Sequence, residues 1–155
     1  MLFALSLFAL FFASAEKPPT PQELVEAGYR EIKRPEEVLR YVSSQGTSIL
    51  YLGTRELVPG LGGALKGKQV TVIVPENVKA VPWMDRAGVR YTLKSLPGNN
   101  DFSEPLLLAR QAYLLSYDSK RKLWILLENK EAAEAVGRIL DFYLEMAEVL
   151  KKRKR

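Results

Sequence analysis

Residues 67–93, GKQVTVIVPENVKAVPWMDRAGVRYTL, decide the fold. Residues 69–74 are rich in β-branched side chains and stop at a proline, which is typical of a strand buried on both faces of a sheet. Residues 77–87 carry apolar side chains at helical spacing and predict a helical crossover ending at Gly88, and residues 89–93 predict a second strand. Strand, crossover and strand form the unit of a parallel sheet, so we expect an α/β protein.

The rest of the chain predicts more helices and strands around this unit. In chain order these are a helix over 21–27, a strand over 29–33, a helix over 35–43, a strand over 48–52, a short helix over 59–66, strands over 105–109, 112–117 and 122–128, and a long helix up to 150. A polar turn over 118–121 makes the last two strands antiparallel. The expected fold is α/β, with a mixed, mainly parallel sheet flanked by helices.

The ends of two helices have recognisable capping residues. Thr20 and Glu23 form a capping box in front of the first helix, and Asn129 is placed to cap the last one. The last helix also carries one apolar stripe that we expect to pack on the sheet, consisting of Ala133, Val136, Leu140, Tyr143, Ala147 and Leu150. A coiled-coil dimer through this stripe is the alternative.

The chain divides into a leader, a linker, one domain and a tail. Its 155 residues are enough for a single domain with a proper core. We expect residues 1–15 to be a signal peptide, residues 16–28 a linker with a short helix, residues 29–150 the α/β domain and residues 151–155 a basic tail.

The leader has the features of a secretory signal. Residues 1–12, MLFALSLFALFF, form an apolar run shorter than the roughly 20 residues that span a bilayer, and Ala13-Ser14-Ala15 offers a small-x-small cleavage site. We therefore expect cleavage near Ala15 and export to the periplasm or the medium. No Lys or Arg precedes the apolar run, so three alternatives stay open: a misplaced start, an uncleaved or lipid-facing N-terminus, and a buried N-terminal strand or helix.

Charge and composition exclude much chemistry. The net charge of +5 equals the charge of the tail alone, Lys151, Lys152, Arg153, Lys154 and Arg155, so the other residues balance. There is no cysteine, which excludes disulfides, thiol catalysis and Cys-based zinc sites. There is no histidine either, which removes the usual general base and the commonest metal ligand. We expect no metal and no cofactor.

Residues 62–68, GGALKGK, come close to a phosphate-binding loop. The residue after Lys68 is Gln69 where that loop needs Ser or Thr, and the segment leads into a strand instead of opening a helix. We therefore expect ordinary turn residues here and no nucleotide.

A few polar residues could support acid–base or nucleophilic chemistry. The carboxylates that could do acid–base work are Asp85, Asp101, Glu104, Asp118 and Glu128. Asp85 lies beside Arg86 and is expected to form a solvated ion pair, and Asp101 and Glu104 flank a loop, where we expect them to be solvated. Ser116 and Lys120 resemble a Ser-Lys pair, although a polar hairpin turn explains both.

Aromatic residues on or beside the predicted strands are expected in the core, and they are Trp83, Tyr91, Tyr113, Tyr117 and Trp124. The basic tail has two interpretations that stay open. It is either a solvated helix end favoured by the helix dipole, or a contact for the phosphates of lipid or nucleic acid.

The order of segments resembles one repeat of the phospholipase D-like superfamily. The segments that carry the resemblance are PEEVLRYVS, SILYLGT, GGALKGK, VTVIVP and AGVRYTL, followed by LLLA, AYLLSY, KLWILLEN and EAAEAVGRILDFYLEMAEV. The resemblance covers about residues 29–150 and implies an α/β fold whose repeats pair about a two-fold axis. It therefore implies a homodimer, or a heterodimer with a homologue.

This sequence lacks the family's catalytic motif, H-x-K-x-x-x-x-D. The corresponding positions hold Leu106, Leu108 and Tyr113, and no other register could supply the histidine. The resemblance thus implies a degenerate, non-catalytic repeat that acts as a binding or structural module in the cell envelope. Two alternatives are a hydrolase with unconventional catalytic residues, and a binder of anionic surfaces through the tail. An open cleft near Leu106 and Leu108, lined by Arg90, Lys94 or Arg110, would favour anion binding.

Overall fold

A computed structural model describes residues 20–97 and 104–153 of the chain, apart from the side chain of Leu24. The predicted signal peptide, the Pro-rich linker before Thr20 and most of the loop before Glu104 lie outside these residues. The helices are α1 (Pro21–Glu26), α2 (Pro35–Ser44), α3 (Leu61–Leu65), α4 (Pro82–Ala87) and α5 (Lys130–Arg153). The strands are β1 (Tyr29–Ile32), β2 (Ser48–Leu52), β3 (Gln69–Pro75), β4 (Tyr91–Leu96), β5 (Leu106–Ala109), β6 (Tyr113–Asp118) and β7 (Leu123–Leu127).

The seven described strands form one sheet in the order β1-β7-β6-β5-β2-β3-β4. The α/β class and the mixed sheet are confirmed. The expectation of a mainly parallel sheet is wrong, because only β2/β3 and β3/β4 are parallel among the six pairings of these strands. Turns of a few residues join β5 to β6 and β6 to β7, and such turns can connect only antiparallel neighbours. The other two antiparallel pairs, β1/β7 and β2/β5, join strands that are distant in sequence.

The helix in the crossover between β3 and β4 is shorter than predicted. Its helix covers Pro82–Ala87, and residues 77–81 are not helical. Val81 is extended because a residue that precedes a proline avoids the helical conformation. The end at Gly88 is confirmed, since Gly88 has a φ of 75° and its N–H bonds to the carbonyl of Asp85. The following strand begins at Tyr91, two residues later than predicted.

Helices cover both faces of the sheet. The short helices α2, α3 and α4 pack on one face, which we call the three-helix face, and its core includes Tyr51, Val72 and Leu107. The opposite α5 face holds a second apolar cluster, consisting of Leu50, Leu52, Ile73, Leu106, Leu108, Leu114, Leu123, Ile125, Leu127, Ala132, Ala133, Val136, Leu140 and Leu144. Successive strand residues alternate between the two clusters, which explains why β5 reads as a continuous apolar run.

Asn129 fixes the start of α5, as predicted. Its Oδ1 accepts a hydrogen bond from the N–H of Ala132 at 2.9 Å, and its Nδ2 donates to the carbonyl of Ala27 at 2.9 Å. One side chain thus caps the long helix and ties its start to the end of α1. The capping box predicted for Thr20 and Glu23 is also present.

The stripe predicted for α5 is only partly buried. The residues facing the sheet are Ala132, Ala133, Val136, Gly137, Leu140, Leu144 and Ala147. Tyr143 and Leu150, which we expected there, are exposed. A straight helix rotates by about 20° per heptad relative to a seven-residue repeat, so the sheet-facing line advances from Leu140 to Leu144 instead of Tyr143.

Replacing Asn129 with alanine removes the N-cap and the bond to Ala27, and we expect it to lower the free energy of unfolding by about 1–3 kcal/mol. Asn129→Asp keeps the cap acceptor but loses the amide donor, so its loss should be smaller. Urea denaturation of the two variants and the wild type measures the difference. Equal stability of wild type and Asn129→Ala would contradict the double role of this side chain.

Candidate functional site

Leu106 and Leu108, which stand where the resemblance places histidine and lysine, lie in the middle of the sheet. Both belong to β5 and have exposed fractions of 1% and 0%. They face α5 within the same cluster as Val136 and Leu140. A Cβ added to Gly137 of α5 would lie 3.5 Å from Leu108 Cδ2, so the helix backbone closely covers this position. Both positions are therefore occupied by buried leucine side chains and covered by α5, without access to solvent.

Tyr113, the third motif position, lies on the other side of the sheet. It pairs in register with Ala109, and its ring contacts that of Tyr41 edge-on at 4.8 Å on the three-helix face. Burial raises the pKa of its hydroxyl, which finds no hydrogen-bond partner among the described residues. The three positions that the resemblance aligns with the motif, Leu106, Leu108 and Tyr113, therefore do not lie together in one site.

A cavity of about 220 Å³ lies between the end of β5 and α5, near Leu108. Its basic residues are already paired: Arg110 donates two hydrogen bonds to Asp141, at 3.1 and 2.7 Å, and Arg138 lies 3.7 Å from Glu134. The Asp141 carboxylate raises the pKa of Arg110. Because Asp141 holds Arg110 in two hydrogen bonds and Glu134 adds a second carboxylate to the lining, this cavity is poorly suited to an anion.

The cations whose presence around an open cleft would favour anion binding are spread over separate cavities. Lys94 lies with Ser95 and the acidic residues Asp141, Glu145 and Glu148, whereas Arg90 lies with Lys68 at the beginning of the parallel strands. Arg110 belongs to the cavity near Leu108. The structure thus does not bring Arg90, Lys94 and Arg110 together.

The candidate carboxylates have structural partners. Asp85 accepts a hydrogen bond from Tyr91 at 2.9 Å, and none of the ion pairs among the described residues joins it to Arg86, so the ion pair expected there is wrong. Glu128 accepts one from Tyr41 at 2.8 Å. Asp118 accepts from two backbone N–H groups of the turn between β6 and β7, those of Lys120 and Arg121, which confirms the polar turn.

Asp101 and Glu104 flank the loop before β5. Asp101 lies outside the described residues, and Glu104 has one buried carboxylate oxygen with no partner in the part of the chain that the structure describes. Ser116 is buried in β6 opposite Leu106, whereas Lys120 lies in the exposed turn. No hydrogen bond joins this serine to this lysine.

The segment that resembles a phosphate-binding loop has a packing role. A Cβ on Gly62 would lie 2.5 Å from that of Ala87, so the glycine lets α3 approach α4. Lys68 donates to the carbonyl of Gly46 and, at 3.4 Å, to those of Ser43 and Gln45. Burial lowers the pKa of Lys68. Its ammonium therefore satisfies the C-terminal end of α2, as expected for a cation near the negative end of a helix.

The aromatic residues predicted for the core do lie there. Tyr113 and Trp124 are buried, while Trp83, Tyr91 and Tyr117 pack against the cluster on the three-helix face. The indole N–H groups of the two tryptophans donate to backbone carbonyls. These rings therefore support the fold and are not arranged as a stacking platform for bases.

The basic tail begins as part of α5, which continues to Arg153. Lys151 is half-buried and donates to Ser95 Oγ at 2.8 Å, whereas Lys152 and Arg153 are exposed. Lys154 and Arg155 lie outside the described residues. Lys151 therefore attaches the helix end to β4, and the exposed charge of the tail begins at Lys152.

Sequence reasoning missed an exposed apolar surface on α5. We call it the outer stripe: Phe142, Tyr143, Met146, Val149 and Leu150, whose exposed fractions range from 44% to 58%. Residues spaced by three and four positions share one face of a helix. A second apolar line at this spacing, beside the one that faces the sheet, was the signal in the sequence that could have revealed it.

Within residues 20–97 and 104–153, no helix combines the length and apolarity needed to cross a bilayer, and no three acidic residues are grouped so as to hold a metal ion. No protein-family model matches the chain, and no curated protein matches it.

Introducing the lysine of the catalytic motif at position 108 would bury an ammonium under α5. We expect Leu108→Lys to lower the free energy of unfolding by at least about 3 kcal/mol in urea denaturation, because the site offers it no partner. Leu108→Met should cost less than about 1.5 kcal/mol.

Thr92→Lys on the exposed face of β4 is the matched control for the added charge, and it should change stability by no more than about 0.5 kcal/mol. A Leu108→Lys variant as stable as Thr92→Lys would contradict the sealed environment of this position.

Proposed function

We propose that this chain is an exported, non-catalytic α/β protein that resembles a single phospholipase D-like repeat and acts as a binding or structural module in the cell envelope. The order of α2, β2, α3, β3, α4 and β4, followed by β5, β6, β7 and α5, supports the resemblance, because it is the order of the segments on which the resemblance rests. The export part rests on the features of residues 1–15.

The burial of Leu106 and Leu108 is the observation that carries the non-catalytic proposal. A nucleophile and a phosphate-binding cation must both reach substrate, and the two side chains at these positions are covered by α5. Apolar side chains at both positions strengthen the core instead, since each fully buried leucine contributes roughly 1.5–3 kcal/mol. On this proposal, Leu106 and Leu108 serve the packing of the core and take no part in chemistry.

The hydrolase alternative has weaker support. Asp85, Asp118 and Glu128 accept hydrogen bonds that stabilise the fold, and Ser116 is buried without a bond to Lys120. The resemblance still implies association with a second repeat, either as a homodimer or with a homologue that retains the motif.

A second candidate function is binding to an anionic surface through the tail. It is favoured by the exposure of Lys152 and Arg153 at the end of α5, beyond the lysine that bonds to Ser95. Phosphate groups of lipid or nucleic acid would supply the negative charge.

Activity assays test the non-catalytic proposal. The chain that begins at Glu16 contains every described helix and strand, and we expect it to hydrolyse phosphatidylcholine, bis(p-nitrophenyl) phosphate and p-nitrophenyl esters no faster than buffer. Circular dichroism confirms that the assayed protein is folded. Turnover that co-purifies with the chain and is lost in Ser116→Ala or Glu104→Gln would contradict the proposal and favour the hydrolase.

A further inference from the structure

We infer that the outer stripe and the exposed cations of α5 form one docking surface for an anionic lipid bilayer. The inference deepens the second candidate function and rests on it, because it names the lipid surface as the source of the negative charge. It adds a role for apolar side chains that a purely electrostatic tail would not need.

The outer stripe is the main exposed apolar surface of the described residues. Of the large hydrophobic side chains exposed there, all except Val25 belong to this one helix segment. Phe142 and Tyr143 are aromatic, and Met146, Val149 and Leu150 extend the surface along the helix. An amphipathic helix of this kind can lie at a membrane interface, with its apolar side chains in the region between the headgroups and the acyl chains.

The charges of α5 are distributed in a way that suits this orientation. Asp141, Glu145 and Glu148 line a cavity with Lys94 and Ser95 of β4, so they lie on the side of the helix next to the sheet edge. At about 100° per residue, Arg153 lies on the same side as Met146, directly after the stripe. A bilayer that contacts the stripe would therefore meet Arg153 directly, whereas Lys152 lies on the side of Glu145 and Glu148, beside the edge of the stripe.

Nucleic acid would use the cations but not the stripe. Its affinity comes mainly from neutralised phosphates, and apolar side chains along a helix do not contribute to that term. An anionic bilayer uses both features, since attraction to acidic headgroups adds to the burial of apolar area. The continuity of the stripe with the basic end of α5 thus favours lipid.

A second copy of the chain fits the stripe less well. Two parallel α5 helices would bring two basic ends together. Two antiparallel helices centred on Met146 would place each basic end beside Arg138, and the acidic residues there are already engaged, Glu134 by Arg138 and Asp141 by Arg110. Charge complementarity is therefore better with an anionic surface than with another α5.

The test compares vesicle binding by the chain from Glu16 onward and by three double variants. The stripe variant is Phe142→Gln/Met146→Gln, which removes apolar area without changing charge. The tail variant is Lys152→Gln/Arg153→Gln. The control is Lys130→Gln/Glu131→Gln, which alters two exposed residues at the other end of α5 and leaves the net charge unchanged. Circular dichroism and urea denaturation establish that all four proteins are equally folded.

We expect the wild type and the control to bind vesicles of phosphatidylcholine mixed with phosphatidylglycerol, and to bind pure phosphatidylcholine vesicles at least ten-fold more weakly. The stripe variant should lose at least ten-fold in affinity for the anionic vesicles while its binding to a DNA duplex stays unchanged. The tail variant should lose affinity for both.

Three results would overturn the inference, and each has a different meaning. If the stripe variant binds vesicles like the wild type and the tail variant does not, the tail alone carries the anionic-surface function. If the wild type binds neither vesicles nor DNA, that candidate function fails as well. If the wild type is a dimer by sedimentation, the stripe variant is a monomer and neither binds vesicles, the stripe's occupant is a second copy of the chain.

Discussion

The packing of α5 across the sheet is the contact on which the rest of the structure depends. The strands β2, β3 and β5 are apolar on both faces, so a sheet built from them needs a layer of helices on each side. Three short helices cover one face, and α5 covers the other almost alone. Asn129 sets where this helix begins, and Lys151 attaches its far end to β4. Both ends of the covering helix are thereby fixed to the layer that it covers.

The position of α5 also explains why the side chains at positions 106 and 108 are apolar. Because α5 lies directly over β5, a side chain that points from β5 toward it must be apolar or find a partner, and leucine satisfies the first condition. Gly137 permits the close approach at Leu108. The apolar surface of α5 is wider than the part that packs on the sheet. Its sheet-facing line rotates away from Tyr143 and Leu150, which remain on the outside with Phe142, Met146 and Val149.

Local sequence patterns predicted most of the elements, and long-range pairing was harder to predict. β-Branched and apolar runs with clear turn residues placed all seven described strands close to their observed positions, and the caps at Thr20 and Asn129 were identifiable from single side chains. The proportion of parallel pairs was missed because β1 and β5 join partners that are distant in sequence, β7 and β2, and no local pattern specifies that choice. The pairing of Arg110 with Asp141 and of Asp85 with Tyr91 was equally hidden, since it depends on packing between elements.

For the candidate site too, local sequence gave part of the answer and the three-dimensional fold was needed for the rest. The sequence alone shows that histidine is missing, and a resemblance suggests where it would stand, but only the fold shows that Tyr113 occupies the opposite face from Leu106 and Leu108. A residue's face in a sheet depends on strand register, which the spacing of a motif across a tight turn does not reveal. The outer stripe, in contrast, can be identified from helical spacing alone, without knowledge of strand register. The prediction of one apolar stripe on α5 did not include it as a second, separate line. When the positions that would carry chemistry are committed to the core, the surface is what remains available for function. Within residues 20–97 and 104–153, the exposed side of α5 is the surface that packing of the fold explains least.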